Sequence, residues 1–303
     1  MTRNRSFLVP ILTIMLCMLA STYAWPAQRY SATGLVLRVD RPAHTMVVSC
    51  DPIPGYMDAM AMPFSVRDST ALENLAPGAM IEFTLVVDRK SSHVENVKVR
   101  PFESFAQEPM QANRLAMLQE LLDPSLAAAQ LKLGQPVPDF TLIDQNQRTV
   151  SLHQFAGRIV AVDFVYTRCR LPDYCFRFSN NFGRLQKRFA DRLGSHLVLL
   201  TITFDPVHDQ PGILADYART FKANPESWRF LTGPLDDVRR VCSWFGVEFW
   251  SDESQFTHTQ HTVIIDRQGK LVTNIEGNLY TAEQLGDLLE TMMAGPMSPE
   301  NNH

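Results

Sequence analysis

Residues 159–175, Ile-Val-Ala-Val-Asp-Phe-Val-Tyr-Thr-Arg-Cys-Arg-Leu-Pro-Asp-Tyr-Cys, are the stretch that decides the fold of the longer part of this chain. The first half is almost continuously β-branched and aromatic, which is typical of a strand buried on both faces of a sheet. The second half places Cys169 and Cys175 just beyond the carboxyl end of that strand. Functional residues of open α/β sheets usually lie at that edge, so the two thiols are candidates for the chemistry of this protein.

The residues around this strand alternate as in an α/β domain. Apolar residues recur at helical spacing over 178–193, and hairpin patterns lie near 140–152 and 262–275. Thr281 and Gln284 have the spacing of a capping box, which predicts a last helix over 282–293. The order of hairpin, βαβ unit, hairpin and helix predicts a thioredoxin-like domain over residues 133–295.

Residues 28–100 have a different pattern, with short alternating strands separated by turn signals such as Pro77-Gly78. About five strands in about 70 residues favour a small all-β domain, an OB-like five-stranded barrel, over an open sheet. Between the two domains, residues 101–132 contain leucines at helical spacing and predict a linker with one amphipathic helix.

The composition is that of an ordinary globular protein. The 303 residues are 45% hydrophobic and 20% charged, with a formal net charge of -4. This length accommodates about two domains of ordinary size. No run of lysine or arginine stands out, so the charge pattern gives no support to a nucleic-acid partner.

Residues 1–24 predict a signal peptide. Arg3 and Arg5 precede an apolar segment over 7–20, and Ala24 lies at the expected cleavage position. The alternative is an uncleaved anchor in the inner membrane, because the apolar segment is only slightly shorter than a membrane span. We therefore expect an exported, periplasmic protein that is either soluble or anchored at its N-terminus.

The cysteine pair fits more than one kind of chemistry. Cys169 and Cys175 have five residues between them, instead of the two of a Cys-x-x-Cys oxidoreductase motif. Two thiolates suit Cu(I), and an added imidazole from His258 or His261 makes a site that also holds Cu(II). A structural disulfide is the alternative in an exported protein. For the two histidines, the alternatives are a loop position for His258 and a structural role for His261.

Two further features bear on the thiols. Arg168 and Arg170 flank Cys169 and are expected to favour its thiolate form. Cys242 lies among apolar residues of a predicted helix and is expected to be a packed core thiol.

A second set of soft ligands lies in the segment Cys50-Asp-Pro-Ile-Pro-Gly-Tyr-Met57-Asp-Ala-Met60-Ala-Met62-Pro-Phe64. On a strand, Met60 and Met62 point to the same face. Thioethers next to a thiolate make a site that prefers Cu(I) or Ag(I) to zinc. The alternative is that these methionines fill the core.

Residues 133–293 resemble the Sco/SenC family of copper chaperones, which have a thioredoxin-like fold. The resembling segments are 140–144, 166–175, 204–211, 231–233 and 261–266. The resemblance implies that Cys169, Cys175 and His261 are copper ligands. It also implies that Asp205 is a polar neighbour of the site, the alternative being that Asp205 only caps the following helix.

Residues 30–100 resemble the CusF-like family of periplasmic copper- and silver-binding proteins, which are small five-stranded barrels. The resembling segments are 31–34, 51–53, 57–64 and Pro77-Gly78. This resemblance implies that Met60 and Met62 are ligands. Cys50 stands where the family has a histidine ligand, and Met57 stands near the place of a metal-capping tryptophan and supplies a third thioether.

These features together predict an exported copper chaperone that binds Cu(I) and Cu(II) in two domains. The Sco resemblance implies delivery to the copper-site subunit of a respiratory cytochrome oxidase, with another copper protein as the alternative recipient. The fusion of the domains suggests that copper passes between them. The main alternative is an enzyme, a thiol-disulfide reductase in which Cys169 and Cys175 are the redox-active catalytic residues. It would keep the cysteines of an oxidase subunit reduced, with a thioredoxin-like reductant as a partner. Copper sensing or sequestration without delivery is a third class.

Overall fold

The computed structural model describes residues 27–89, 91–101, 130–169, 174–252 and 255–295. The predicted signal peptide or anchor, most of the predicted linker and residues 170–173 between the paired cysteines lie outside these ranges. Within the described ranges, no helix has the length and apolar character needed to cross a membrane.

The first sheet consists of five antiparallel strands. They are β1 (Gln28–Asp40), β2 (Thr45–Cys50), β3 (Met60–Ser65), β4 (Met80–Val87) and β5 (Ser92–Val99). Their order in the sheet is β3-β2-β1-β4-β5. The long strand β1 pairs with β4 through its first half and with β2 through its second half. The prediction of a small all-β domain is confirmed, and we call this unit the β-domain.

The β-domain is not a closed barrel, so that part of the prediction is wrong. The edge strands β3 and β5 approach each other but do not pair along their length. Between the described residues on this side, a single isolated bridge links Val66, just after β3, to Val94 of β5. The reason is local, because the chain leaves the sheet after β3 for a short 3-10 helix, Ser69–Leu72, which Asp68 caps. Leu72 from this turn is buried in the same apolar core as the strands.

The second sheet has seven strands in a thioredoxin-like arrangement, which confirms the predicted fold. The strands are β6 (Thr141–Asp144), β7 (Thr149–Ser151), β8 (Ile159–Val165), β9 (Leu197–Thr203), β10 (Trp228–Thr232), β13 (His261–Ile265) and β14 (Leu271–Glu276). Their order is β14-β13-β8-β9-β10-β6-β7. A separate hairpin, β11 (Phe249–Asp252) and β12 (Gln255–His258), was not expected from the sequence. We call this unit, residues 130–295, the α/β domain.

The described residues of the α/β domain form four α-helices. They are α1 (Cys175–Arg188), α2 (Pro211–Thr220), α3 (Leu235–Trp244) and α4 (Ala282–Ala294). Helix α1 begins three residues before the predicted 178 and ends five residues before the predicted 193. As a result, Cys175 is the first residue of the helix. The predicted capping box of α4, formed by Thr281 and Gln284, is present.

Strand β8 is an interior strand of the second sheet. All seven of its residues are buried, and it pairs in parallel with β9 and antiparallel with β13. A strand with neighbours on both edges and helices on the faces has no solvated side, which explains why six of its seven residues are apolar, Asp163 being the exception. The chain leaves this strand directly towards Cys169.

The β-domain packs on the α/β domain through the outer faces of β1 and β2. Leu35, Leu37 and Met80 are buried in the apolar cluster of the α/β domain, not in that of the β-domain. Gly78 has φ +91°, and a Cβ there would lie 2.3 Å from Cγ2 of Thr273 on β14. The positive φ and the close approach of this turn to the side chain of Thr273 therefore require a glycine here.

Candidate metal centres

Cys169 and Cys175 lie together at the carboxyl end of β8. Cys175 is 1% exposed and Cys169 is half-buried. Burial is the main cause of a raised pKa of Cys175, and its hydrogen bond with Cys169 raises this pKa further. None of the cysteines in the described ranges, Cys50, Cys169, Cys175 and Cys242, is in a disulfide. The pair is therefore a contacting dithiol, in which at least Cys175 is protonated at neutral pH.

The loop that carries Cys169 is held by Asp209, which is fully buried. Its Oδ2 accepts hydrogen bonds from the backbone N–H of Thr167 at 3.0 Å and from Oγ1 of Thr203 at 2.6 Å. Its Oδ1 accepts a further hydrogen bond from Oγ1 of Thr167. The sequence pattern did not indicate that Asp209 is part of the site. The available signal was its position in the polar segment that directly follows the buried strand β9.

Asp205 is a neighbour of the cysteine loop, as the Sco resemblance implied. Its Oδ2 accepts hydrogen bonds from Arg168 at 2.6 Å and 3.1 Å, and the carboxylate is almost fully buried. It does not cap α2, whose N-cap residue is Gln210. The carboxylate forms an ion pair with Arg168 and so balances the charge of this arginine. Arg170 lies outside the described residues.

His261 is the first residue of β13 and is 6% exposed. Burial lowers its pKa, and a hydrogen bond with Asn274 acts in the opposite direction. Nδ1 of His261 is 2.9 Å from Oδ1 of Asn274, and Nδ2 of Asn274 donates to the carbonyl of Phe245 at 2.8 Å. Because that carbonyl only accepts, Oδ1 of Asn274 faces the imidazole and Nδ1 is the donor. A neutral imidazole is the form that binds metals.

The alternative that His258 lies in a loop is wrong. It ends β12 and is 7% exposed, and burial lowers its pKa to about 4. Its ring packs on Phe204 and Tyr166, with centroids 4.7 Å and 5.8 Å away. His258 is thus part of an aromatic cluster under the cysteine loop. Cys242 is fully buried in the core, as expected.

The three ligands implied by the Sco resemblance lie at one edge of the sheet but do not converge on a single point. In the part of the chain that the structure describes, one trio of His, Cys, Asp or Glu ligand atoms has all members within 4.8 Å of one another. That trio is Asp205, His208 and Asp209. Its members are engaged with one another and with Arg168 and Thr167, which accounts for their proximity. Coordination by both thiols and His261 requires these three side chains to approach one another.

The soft residues of the β-domain are brought together by the register of β2 and β3. Cys50 pairs with Met60 and Val48 pairs with Met62, so the thiol and both thioethers lie on the same face. Cys50 is 1% exposed and Met60 is 52% exposed. Met57 and Met62 pack against the core of the β-domain. Burial and then the charge of Asp51 raise the pKa of Cys50 to about 12.

Comparison with known proteins gives matches in both domains. Residues 29–99 match the family model described as copper binding periplasmic protein CusF. Protein sco1 of Schizosaccharomyces pombe is 27% identical over 154 residues, which are 48% of this chain and 56% of that protein. The SCO1 protein homolog of Bacillus subtilis is 28% identical over 150 residues, which are 48% of this chain and 76% of that protein. The chain therefore spans little more than half the length of the fission yeast relative.

Among solved structures, yeast Sco1 with copper bound is similar with a TM-score of 0.45 and 24% sequence identity. The alignment covers 54% of this chain and 90% of that one. The family model described as SCO1/SenC matches residues 128–294, more than half of the 303 residues. The chain belongs to the SCO1/SenC family.

Proposed function

We propose that this protein is an exported copper chaperone with a copper site in each domain. In the α/β domain the ligands are Cys169, Cys175 and His261. In the β-domain they are the soft residues that share one face of the sheet or pack beside it, namely Cys50, Met57, Met60 and Met62. The observation that carries the proposal is a contacting dithiol at the end of β8, beside a strand that begins with a neutral imidazole. Family membership and the copper-binding description of the model matching residues 29–99 support copper as the metal.

The protonation states of the thiols determine how copper binds. The pKa values of Cys175 and Cys50 are raised by burial, so each thiol carries its proton at neutral pH. Copper binds thiolates, so loading must release these protons, and the apparent affinity must rise with pH. Cu(I) prefers thiolate and thioether ligands, and the imidazole extends the α/β site to Cu(II).

Delivery takes place by ligand exchange, in which each incoming soft ligand displaces one that is already bound. The exposed Met60 gives a partner access to the edge of the β-domain site. The proposed recipient is the copper-site subunit of a respiratory cytochrome oxidase, which fits membership of the SCO1/SenC family. The proposed location is the periplasm, with the protein either soluble or anchored to the inner membrane.

Copper binding by variants of the full-length chain tests the two ligand sets, with a chromogenic Cu(I) chelator as competitor. We expect Cys175→Ser and His261→Ala each to weaken the α/β site, and Cys50→Ser to weaken the β-domain site. Cys242→Ala removes a core thiol outside both sets and is the matched control. The proposal is wrong if Cys175→Ser and His261→Ala both bind copper as the unmodified chain does.

A thiol-disulfide reductase is the second candidate, and the contact between the two thiols favours it as much as it favours copper binding. The raised pKa of Cys175 does not separate the two functions, because disulfide exchange and copper binding both need the thiolate. Assembly of an active oxidase in cells that carry the variants separates the two functions. The reductase is the better description if His261→Ala supports assembly while either cysteine variant abolishes it. Sequestration is the better description if the copper-loaded chain transfers no copper to an apo copper-site subunit.

A further inference from the structure

Helix α4 of the α/β domain contacts the β-domain on both sides of Cys50 in sequence. Nε2 of Gln284 donates hydrogen bonds to the carbonyl of Ser49 at 3.2 Å and to Oδ1 of Asp51 at 3.1 Å. Oγ of Ser49 donates to Oδ2 of Asp287 at 2.7 Å. The residues before and after Cys50 are thus both held by side chains from the other domain.

We propose that Gln284 is a positioning residue for Cys50, so that the α/β domain completes the metal site of the β-domain. The inference rests on the proposed role of Cys50 as a copper ligand. It adds to that site a residue 233 positions away from Asp51 in the sequence.

The amide of Gln284 is fixed at both ends. Gln284 is 3% exposed, and its Oε1 accepts the backbone N–H of Thr281 at 2.9 Å in the capping box of α4. Its Nε2 makes the two hydrogen bonds to Ser49 and Asp51. A side chain with all of these contacts has little freedom, so it constrains the strand end that it contacts.

The strand end needs such a constraint because β2 stops at Cys50 and the chain then turns away. Thr33 anchors the next residue, with its Oγ1 donating to Oδ2 of Asp51 and its carbonyl accepting the N–H of Asp51 at 2.9 Å. Cys50 therefore lies between two anchored residues and faces the side where Met60 lies. Residues that orient a metal ligand typically contribute about 10- to 100-fold to metal affinity.

The same helix end also contacts the other proposed site. The carbonyl of Tyr280, just before the N-cap of α4, accepts a hydrogen bond from Arg177 at 3.2 Å. Arg177 lies in the first turn of α1, which Cys175 begins. The N-terminus of α4 is therefore in contact with the supports of both copper sites, and Gln284 is its contact with the β-domain.

The test uses the full-length chain with Cys169→Ser and Cys175→Ser, so that Cu(I) has only the β-domain site. Gln284→Glu keeps the size and the capping acceptor of Gln284 but removes its N–H donors. We expect this variant to raise the dissociation constant for Cu(I) by about 10- to 100-fold, measured by competition with a chromogenic chelator. Gln284→Met removes the donors without adding charge and should change the affinity in the same direction.

Two controls separate positioning from general damage. Glu283→Gln changes an exposed neighbour on the same turn, whose partner is Arg184, and should leave Cu(I) affinity unchanged. In a chain with Cys50→Ser, Gln284→Glu should leave Cu(I) binding by Cys169 and Cys175 unchanged. An unchanged affinity in the first background, or an equal loss in both, overturns the inference. If Cys50→Ser does not weaken the β-domain site, Cys50 is not a ligand, and the inference falls with that assignment.

Discussion

Burial determines the protonation of the main titratable residues around the two sites. It is the largest cause of the raised pKa of Cys175 and Cys50 and of the lowered pKa of His261. In each case burial favours the neutral form, because a charge in the interior loses its hydration. The two thiols therefore keep their protons at neutral pH, whereas the imidazole of His261 is already in the neutral form that binds metals. Copper has to supply the energy that removes the thiol protons.

The residue-scale prediction concerns His258, a buried histidine whose pKa is lowered from 6.5 to about 4. Below pH 6.5 the unfolded chain takes up a proton at this ring that the folded chain does not take up. The stability that the neutral ring contributes above pH 6.5 is therefore lost as the pH falls towards 4. The loss is on the order of 3 kcal/mol. The difference between the unmodified chain and His258→Phe in urea unfolding, at a series of pH values, measures this loss.

His258→Phe should flatten this pH dependence because it removes the titrating ring and keeps an aromatic side chain in the cluster. His153 is exposed and hydrogen-bonded to Asp139, so His153→Gln is the matched control and should keep most of the slope. If His258→Phe shows the full slope of the unmodified chain, another group is responsible for it.

At the scale of elements, the turn after β9 supports the loop after β8. These two strands are parallel neighbours, so their carboxyl ends lie side by side. Asp209 and Asp205 from the second strand end reach Thr167 and Arg168 in the loop that leads to Cys169. The loop after β9 thus holds the loop after β8 by hydrogen bonds, and this restricts the position of Cys169.

The element-scale prediction is that Asp209→Ala destabilises the protein and weakens copper binding in the α/β domain. The change leaves the N–H and hydroxyl of Thr167 and the hydroxyl of Thr203 without their charged acceptor. We expect the free energy of unfolding to fall by about 2–4 kcal/mol, measured by urea unfolding. Asp216→Ala breaks only an exposed pair with Arg219 and should cost less than about 0.5 kcal/mol. Equal effects of the two substitutions would contradict the bracing role of Asp209.

At the scale of the whole molecule, the two domains share buried surface. Leu35 is fully buried in the apolar cluster of the α/β domain although it belongs to β1. Because it faces away from the core of the β-domain, it contributes to docking and not to the internal packing of that domain. Docking holds the two proposed copper sites in one unit, so copper transfer between them would be intramolecular and would have a high effective concentration.

The prediction at this scale is that Leu35→Asp separates the domains, because it places an unpaired carboxylate in the apolar interface. We expect thermal unfolding to change from one transition to two, measured by calorimetry. Copper transfer between the domains should become slower in the same variant. Val99→Asp puts the same charge on β5 at a position that is 49% exposed, and should preserve the single transition. A single, unshifted transition in Leu35→Asp would show that this contact does not couple the domains.

The sequence by itself determined the types of element and the types of ligand. The nearly continuous apolar run of β8, the alternation in β4 and the capping box of α4 are local patterns, and each formed as predicted. The same-face position of Met60 and Met62 followed from the two-residue period of a strand. Each of these features depends on residues only a few positions apart in the sequence, and sequence patterns reveal relations over that distance.

The tertiary structure alone decided how the elements meet. The hydrogen bond from Thr167 to Asp209 spans 42 residues, and the one from Gln284 to Asp51 spans 233. The open edge between β3 and β5, the burial of His258 and the docking of β1 on the α/β domain also arise from such distant contacts. No local period encodes them, because each depends on surfaces that exist only after both elements have folded and packed.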